Sequence, residues 1–389
     1  MKAKINISEL FSDVQASQGY VNVCAPMVRY SKVQFRTLVK NYNVDLTFTP
    51  MILADSFCQN ANARSNEFST TESDSPLIVQ FASNNVNDFV DASKLVYPYA
   101  DGVDLNCGCP QRWAMKDGYG CALLYKPEVV YELVKGIKNN LPTNFSISVK
   151  LRILDDLKRT VELCQQLEKS GINFLTVHGR TPSQKNSDSI DTNALKTVCE
   201  SVKIPVIANG GIKTLEDADN LHNITNCRGV MAANGILVNP ALFSGAKTTP
   251  MSCVKLWMDM KNRHQNKITF QCYHHHLVFM LDKVLTRQQK QVFNHLCTFK
   301  SVDEFITTNL MIPSDFNIHY NIDNFVTCDY ADEITMKHSS KCRSCGRSIC
   351  YCICTKYDYD LNNGSFFTSY VQNFDHLDYM DCNIFEETI

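Results

Sequence analysis

Short apolar runs recur at wide spacing between residues 21 and 233, and amphipathic stretches separate them. The runs are rich in β-branched residues and show no alternation of apolar and polar positions, which is typical of parallel strands buried on both faces. Eight runs predict strands, namely Val21–Ala25, Leu46–Pro50, Leu77–Phe81, Gly102–Asn106, Phe145–Lys150, Phe174–His178, Ile204–Ala208 and Gly229–Ala233.

The stretches between these runs carry helix patterns with recognisable ends. In Asp155–Ser170 the apolar residues fall on one face, with Asp155 as the expected N-cap and Gly171 just past the end. Thr214 and Asp217 predict a capping box that opens another helix. Eight strand–helix units fit a closed (β/α)8 TIM barrel, whose typical size is about 250 residues. An open doubly wound sheet is the alternative, but no GxGxxG follows the first strand and no Walker motif occurs.

Three segments of the chain differ in pattern, and we expect three domains. Residues 1–247 hold the predicted barrel. Residues 248–310 lack strand patterns and repeat apolar residues at helical spacing, which predicts a small all-helical domain. Residues 311–389 lose this periodicity and become acidic, which indicates an irregular, Cys-rich C-terminal tail.

The composition is that of a globular intracellular protein. The chain has 389 residues, of which 44% are apolar, and a formal net charge of −2. Its start lacks the apolar core of a signal peptide, so we expect the 18 cysteines to be reduced rather than paired. No apolar run reaches the roughly 20 residues of a membrane helix. We therefore expect a monomer in the cytoplasm or the nucleus, without a membrane partner.

Glycine-containing turns follow the seventh and eighth predicted strands. Gly210 and Gly211 follow one strand, Gly235 follows the other, and each turn precedes a helix start. Barrels of this type bind phosphate at such turns, through backbone N–H groups and helix dipoles. Ordinary turn glycines are the alternative, but two such turns at these strand ends favour a phosphate site.

Polar side chains also stand at the ends of other predicted strands, where barrel chemistry gathers. An apolar Pro26-Met27 pair with Gln80, Lys150 and His178 suits a flat heteroaromatic ring. The amide of Gln80 can pair with an amide edge of the ring, and Lys150 can stabilise a reduced, anionic flavin. A surface lysine and a core histidine are the alternatives.

Cys107 and Cys109 flank a glycine at the end of the fourth predicted strand. This spacing suits neither a usual zinc site nor a thioredoxin-type pair. We therefore expect one thiol to act as an acid, because a cysteine with a pKa of about 8.5 is mostly protonated near neutrality. Nucleophilic catalysis and a buried, inert thiol remain alternatives.

The segment from Asn106 to Pro110, with its continuation Gln111–Met115 and Gly118–Gly120, resembles the tRNA-dihydrouridine synthases and, among them, the Dus4-like branch. The similarity runs from about Val21 to about Leu310. Further similar segments are Ala25–Tyr30, Phe35–Arg36, His178–Thr181, Ile207–Gly210, Asn239–Phe243 and Thr286–Gln288.

The resemblance implies an FMN-binding barrel and a helical domain that docks tRNA. It implies that NADPH is the reductant and that uridine in the D loop, at positions 20a and 20b, becomes 5,6-dihydrouridine. Hydride would pass from FMN to C6 of the base and a proton from Cys109 to C5, with Asn106 holding the base or the flavin. The residues implied to contact FMN are Pro26, Met27, Gln80, Lys150, His178, Asn209, Gly210, Gly211, Asn234 and Gly235.

Two positions at the expected phosphate end depart from the family pattern. The family commonly has Asp where Gly211 stands and Arg where Asn234 stands. Backbone contacts to a phosphate survive such changes, whereas the side-chain contacts differ.

Local basic clusters are the candidates for RNA contact, because the net charge is too small for a global footprint. Residues up to Leu310 carry 33 Lys and Arg against 28 Asp and Glu, while the remainder carries 5 against 12. For each residue alone, a solvated surface position is the alternative. The residues expected to contact substrate are Arg29, Arg36, Arg112 and Arg180, with Lys32, Lys40, Lys116, Lys261, Arg263 and Lys267 in the same clusters.

Two other functions remain open from the sequence. The flavin barrel could act on a free pyrimidine or another small ene substrate, or the chain could bind tRNA without catalysing a reaction. In the tail, Cys342, Cys345, Cys350 and Cys352 are zinc candidates, with reduced thiols as the alternative because the second pair is too compressed for a standard site.

Three consecutive histidines, His274–His276, lie inside a helix pattern. Consecutive helix residues point in different directions, so we expect no three-ligand metal site there. We expect a helix surface with one buried imidazole.

Overall fold

A computed structural model of the protein describes residues 4–17, 19–263 and 268–312. The strands of this part of the chain form one parallel sheet. Nearly all strand residues are buried, because helices cover one face of the sheet and the other lines the barrel interior. The strands are β1 (Val21–Cys24), β2 (Leu46–Phe48), β3 (Ile52–Leu53), β4 (Leu77–Ala82), β5 (Gly102–Cys107), β6 (Ser146–Arg152), β7 (Phe174–His178), β8 (Val206–Asn209) and β9 (Gly229–Ala232).

The sheet closes on itself. β1 pairs with both β2 and β9, and the remaining strands follow in chain order, with β2 pairing with β4 at the closure. The short strand β3 follows β2 and also pairs with β4, with Ile52 opposite Phe81. The eight predicted strands and the closed (β/α)8 barrel are therefore confirmed, with one additional two-residue strand.

Helices connect the strands and continue beyond the barrel, where α12–α15 confirm the predicted helical C-terminal region. The helices are α1 (Ile7–Ala16), α2 (Val33–Lys40), α3 (Ala54–Gln59), α4 (Ala61–Glu67), α5 (Val86–Val96), α6 (Arg112–Lys116), α7 (Pro127–Asn140), α8 (Leu157–Lys169), α9 (Thr192–Ser201), α10 (Leu215–Thr225), α11 (Asn234–Val238), α12 (Met251–Arg263), α13 (Phe270–Met280), α14 (Arg287–Asn294) and α15 (Phe299–Asn309). Two short 3-10 helices cover Gly120–Tyr125 and Leu242–Ser244.

Helix ends agree with the sequence signals in most cases. Thr214 and Asp217 form the predicted capping box of α10. Gly171, after α8, has a φ of +87°, as expected just past a helix end. The N-cap of α8 is Asp156 rather than Asp155, since the Asp156 side chain accepts from the Lys158 N–H. The prediction was wrong by one residue because two adjacent carboxylates give the same signal.

The helical region packs against the barrel through aromatic side chains. The ring of His276 on α13 lies 4.6 Å from that of Phe35 and 4.5 Å from that of Trp257. His276 is fully buried and His274 nearly so. The expectation of one buried imidazole is therefore wrong, because two faces of α13 are covered.

Some predictions fall outside the described residues. These are Lys267, the tail and its four candidate zinc ligands, Cys342, Cys345, Cys350 and Cys352. Within the described ranges, no helix has the length and apolar character needed to cross a membrane, and no cluster of His, Cys, Asp or Glu could hold a metal ion.

Candidate active site

A chain of hydrogen bonds between buried side chains crosses three neighbouring strands inside the barrel and leads to its open end. Asp104 on β5 accepts from Ser148 Oγ on β6 at 2.6 Å and from Gln80 Nε2 on β4 at 2.7 Å. Asn106 Nδ2 then donates to Gln80 Oε1 at 2.9 Å. Because a carboxylate only accepts, Asp104 fixes which end of each amide faces its neighbour.

The chain of bonds continues into the loop that carries the candidate acid. The Asn106 side-chain oxygen accepts from the backbone N–H groups of Gly108 (3.1 Å) and Cys109 (3.0 Å). The Cys109 carbonyl accepts from the Cys121 N–H at 2.9 Å. At Gly120, whose φ is +58°, a Cβ would lie 2.4 Å from that carbonyl, so only glycine allows this closure.

The two thiols of the loop differ in position. Cys107 is buried in the hydrophobic core, and burial raises its pKa well above the ordinary value. Cys109 is partly exposed, and its pKa is also raised, mainly by desolvation and against the opposing effects of Arg152 and Lys150. Cys109 therefore stays a protonated thiol near neutrality, which is the form that can donate a proton.

Lys150 on β6 supplies a cation at the same end of the barrel. Burial and the nearby Arg152 guanidinium lower its pKa to about 8, although Asp104 acts in the opposite direction. Within the described part of the chain, its ammonium has no hydrogen-bond or ion-pair partner. Such a group favours the binding of an anion.

His178 at the end of β7 is held as a neutral imidazole. Desolvation, together with the charges of Lys150, Arg152 and Arg180, lowers its pKa well below the ordinary value. Arg180 Nη1 donates to His178 Nε2 at 3.1 Å, so the ring proton belongs on Nδ1. The Arg180 guanidinium also donates to the Asp188 carbonyl and is buried. The guanidinium of Arg180 is therefore directed at His178, and its expected contact with substrate stays a prediction.

Arg152 is a functional candidate that the sequence analysis did not assign. Its Nε donates to the Gly108 carbonyl at 3.1 Å, and its Nη1 donates to the carbonyls of Thr181 (3.0 Å) and Gln184 (3.4 Å). One buried guanidinium thus ties the cysteine loop to the segment after β7. No sequence signal reveals this role, since the acceptors are backbone groups.

The glycine turns after β8 and β9 lie at the same end of the barrel. Gly210 and Gly211 have φ values of +116° and +76°. A Cβ at Gly210 would lie 2.8 Å from the His178 ring, and a Cβ at Gly235 would lie 2.2 Å from the Ile212 carbonyl. Asn209, by contrast, uses its side-chain amide to donate to the Met231 carbonyl at 3.0 Å. These contacts hold the two turns close together.

The remaining candidates on β1 and α2 separate into two groups. Pro26 is partly exposed and Met27 buried just beyond β1, and Arg29 is exposed with a φ of +74°. Arg36 is only 1% exposed, and its Nη2 lies 2.6 Å from Asp74 Oδ2. The expected substrate contact of Arg36 is therefore wrong, because a buried ion pair binds its guanidinium.

The other basic candidates also separate by exposure. Arg112 and Lys116 on α6, and Asn234 at the start of α11, are exposed. Lys261 on α12 is buried and lies 2.5 Å from Asp303, so it is not available for RNA contact.

Comparisons with known proteins identify the family of the chain. Residues 23–306 match the family model "Dihydrouridine synthase (Dus)". The chain is 48% identical over 288 residues to the human "tRNA-dihydrouridine(20a/20b) synthase [NAD(P)+]-like", covering 74% of this chain and 90% of that protein. It is 40% identical over 300 residues to the Schizosaccharomyces pombe "tRNA-dihydrouridine(20a/20b) synthase [NAD(P)+]", covering 77% and 91%. The chain therefore belongs to the dihydrouridine synthase family, within its Dus4-like branch.

Proposed function

We propose that this chain reduces uridine to 5,6-dihydrouridine in the D loop of tRNA, at positions 20a and 20b, with FMN as cofactor and NADPH as reductant. The relatives named above support the substrate and the positions. The observation that carries the chemistry is the Cys109 loop. A protonated thiol is held there by a hydrogen-bonded chain, close to a lysine without a partner among the described residues.

The residues at the open end fit a flavin mononucleotide. Lys150 offers a cation for the electron-rich edge of the ring, and Met27 offers apolar contact. On the β8 side, no backbone acceptor is found among the described residues for the N–H groups of Gly210 and Gly211. Free N–H groups at a turn before a helix suit a phosphate. FMN would thus be held by Lys150 and Met27 at its ring and by Gly210, Gly211 and Gly235 at its phosphate.

Gln80 contributes to the site in a different way from that expected. It is 1% exposed, and its amide is engaged by Asp104 and Asn106. We propose that it mainly orients Asn106, and its direct contact with FMN remains a prediction.

The chemistry that FMN would supply when held by Lys150 and the glycine turns, and reduced by NADPH, is hydride donation to C6 of the uracil ring. Cys109 donates its thiol proton to C5, so that the C5–C6 double bond gains one hydride and one proton. Asn106 orients the cysteine loop for this transfer. The target base must leave its stack to enter the barrel mouth, and a tRNA loop is where unstacking costs least. NADPH and tRNA would use the same mouth in turn, as in a ping-pong reaction.

A direct test uses the purified full-length chain, NADPH and an unmodified tRNA transcript. We expect a flavin absorbance spectrum, NADPH oxidation that depends on tRNA, and dihydrouridine in the product. Free uridine is the matched control substrate. NADPH oxidation driven equally well by free uridine would instead support a small-molecule reductase. A chain that binds tRNA but takes up no flavin would support a binding protein without this chemistry.

A further inference from the structure

Helix α6 exposes an aromatic side chain close to Cys109 in the sequence. Trp113 is 40% exposed and Met115 36% exposed, whereas Ala114 between them is fully buried. Ala114 therefore anchors the helix, and each of the two large side chains leaves more than a third of its surface exposed, with the Trp113 indole N–H donating to Gln111 Oε1 at 2.6 Å. Large apolar residues exposed next to a reactive group often mark a binding surface.

Two cations accompany Trp113 on the same side of the helix. At about 100° per residue, Arg112 and Lys116 lie opposite Ala114, and Trp113 lies beside them, about 60° from Lys116. Arg112 and Lys116 are exposed, and neither forms an ion pair within the described residues. We call Arg112, Trp113, Met115 and Lys116 the α6 surface. It combines a flat ring with two positive charges, one from the preceding residue and one from about a turn later.

The position of the α6 surface is fixed relative to Cys109. The backbone leaves at Cys109 and returns at Cys121, whose N–H bonds the Cys109 carbonyl at 2.9 Å. The segment between Cys109 and Cys121 is also held by Asn84, whose Nδ2 donates to the Asp117 carbonyl at 2.8 Å. A ligand on Trp113 therefore stays at a constant place beside the mouth of the barrel.

We propose that Trp113 stacks on a tRNA base next to the uridine in the mouth, while Arg112 and Lys116 contact the adjoining phosphates. This proposal rests on the proposed function above. Aromatic stacking binds unpaired bases with little sequence preference, and neighbouring cations follow the backbone. A protein partner is less suited to the α6 surface. A stable protein–protein interface buries about 800 Å² on each side, and α6 exposes only two large apolar side chains.

The chain offers a spectroscopic test because it has two tryptophans and the other, Trp257, is fully buried. We titrate the full-length chain with an unmodified tRNA transcript, without NADPH, and follow tryptophan emission. Stacking on Trp113 should quench the emission, and Trp113→Phe should remove the quench. Binding is followed in parallel by the anisotropy of labelled tRNA. Binding without a quench, or a quench that persists in Trp113→Phe, would overturn the proposal.

Steady-state kinetics provide a second test. Trp113→Ala should raise the KM for tRNA about tenfold or more, with a smaller fall in kcat, whereas Trp113→Tyr should stay within about threefold of wild type. Ile224→Ala is the matched control, because Ile224 is 48% exposed near the end of α10, away from the mouth. An unchanged KM in Trp113→Ala, or an equal rise in Ile224→Ala, would contradict stacking. The tryptophan quench does not depend on turnover. If the wild-type chain binds tRNA with a quench but forms no dihydrouridine, the proposed function is rejected and the stacking proposal is not.

Discussion

The two ends of the barrel use the same types of polar side chain in opposite ways. At the closed end, where the strands begin, carboxylates accept from the backbone. Asp101 accepts from the N–H groups of Ile5 (2.9 Å) and Leu77 (2.8 Å) as well as from the Ser75 hydroxyl (2.6 Å), and Asp45 accepts from the N–H of Asn22 (2.8 Å). Asp104, inside β5 and two residues before Asn106 at the open end, accepts only from side chains.

This difference separates stability from chemistry. A carboxylate that binds backbone N–H groups holds strand ends in place. A carboxylate that binds side chains fixes the orientation of those groups, here the amides that lead to Cys109. Substitutions at the closed end should therefore reduce stability, and those at the open end should reduce activity.

The largest expected effect is that of Cys109→Ala at the open end. Removal of a general acid typically costs about 10²- to 10⁴-fold in rate, so dihydrouridine formation should fall by that factor. The measurement is the dihydrouridine content of digested tRNA after reaction. Cys107→Ala is the matched control, because that buried thiol lies two residues away and is not expected to react. Full turnover by Cys109→Ala, or an equal loss in Cys107→Ala, would remove Cys109 as the acid.

At the closed end, Asp101→Ala should lower the free energy of unfolding by about 3 kcal/mol. The substitution leaves the buried N–H of Leu77 and the hydroxyl of Ser75 without their acceptor, together with the more exposed N–H of Ile5. Urea denaturation measures the loss. Product formation by the folded variant should stay close to that of wild type at low temperature. Unchanged stability, or a specific loss of activity in the folded variant, would contradict the division between the two ends.

Lys150 predicts a pH dependence at the open end. Its pKa in the folded protein is lowered to about 8, so the ammonium loses its proton as the pH rises through that value. The affinity of the flavin-free protein for FMN should then fall, by up to about tenfold for each pH unit above 8. Quenching of FMN fluorescence measures this affinity. Lys150→Met should bind FMN more weakly, and its affinity should not change over this pH range. The same pH profile in both proteins would show that Lys150 does not bind the cofactor.

The smallest effect is expected at Asp104. Asp104→Leu removes the acceptor that orients Gln80, and kcat should fall about tenfold because the cysteine loop loses its fixed support. Asp104→Asn can still accept from Gln80 and donate to Ser148, so kcat should stay within about threefold of wild type. Burial raises the pKa of Asp104 to about 6, so any change of kcat near pH 6 should disappear in Asp104→Asn. Equal losses in both variants would indicate a different role for this carboxylate.

The sequence predicted the barrel well because buried parallel strands are nearly continuous apolar runs. It missed β3, since two residues, Ile52 and Leu53, give no periodic signal. It placed the seventh strand from Ile204, whereas the structure begins it at Val206. The residues at the strand ends were recognisable because polar side chains interrupt the apolar pattern there.

Roles that depend on distant partners could not be predicted. From the sequence, Arg36 is indistinguishable from a surface cation, because its buried partner Asp74 is 38 residues away along the chain. From the sequence, Arg152 is only the last residue of a strand. Its acceptors are backbone carbonyls, which occur in every loop and therefore give no sequence signal. Burial and long-range pairing decide both cases, and neither follows from local pattern.

The central claim is that this chain forms dihydrouridine at positions 20a and 20b of tRNA. The most direct test maps dihydrouridine at nucleotide resolution in tRNA from cells that contain or lack the chain. The account predicts that the modification disappears from these two positions in its absence, and that wild type restores it whereas Cys109→Ala does not. Unchanged modification at both positions in cells without the chain would contradict it.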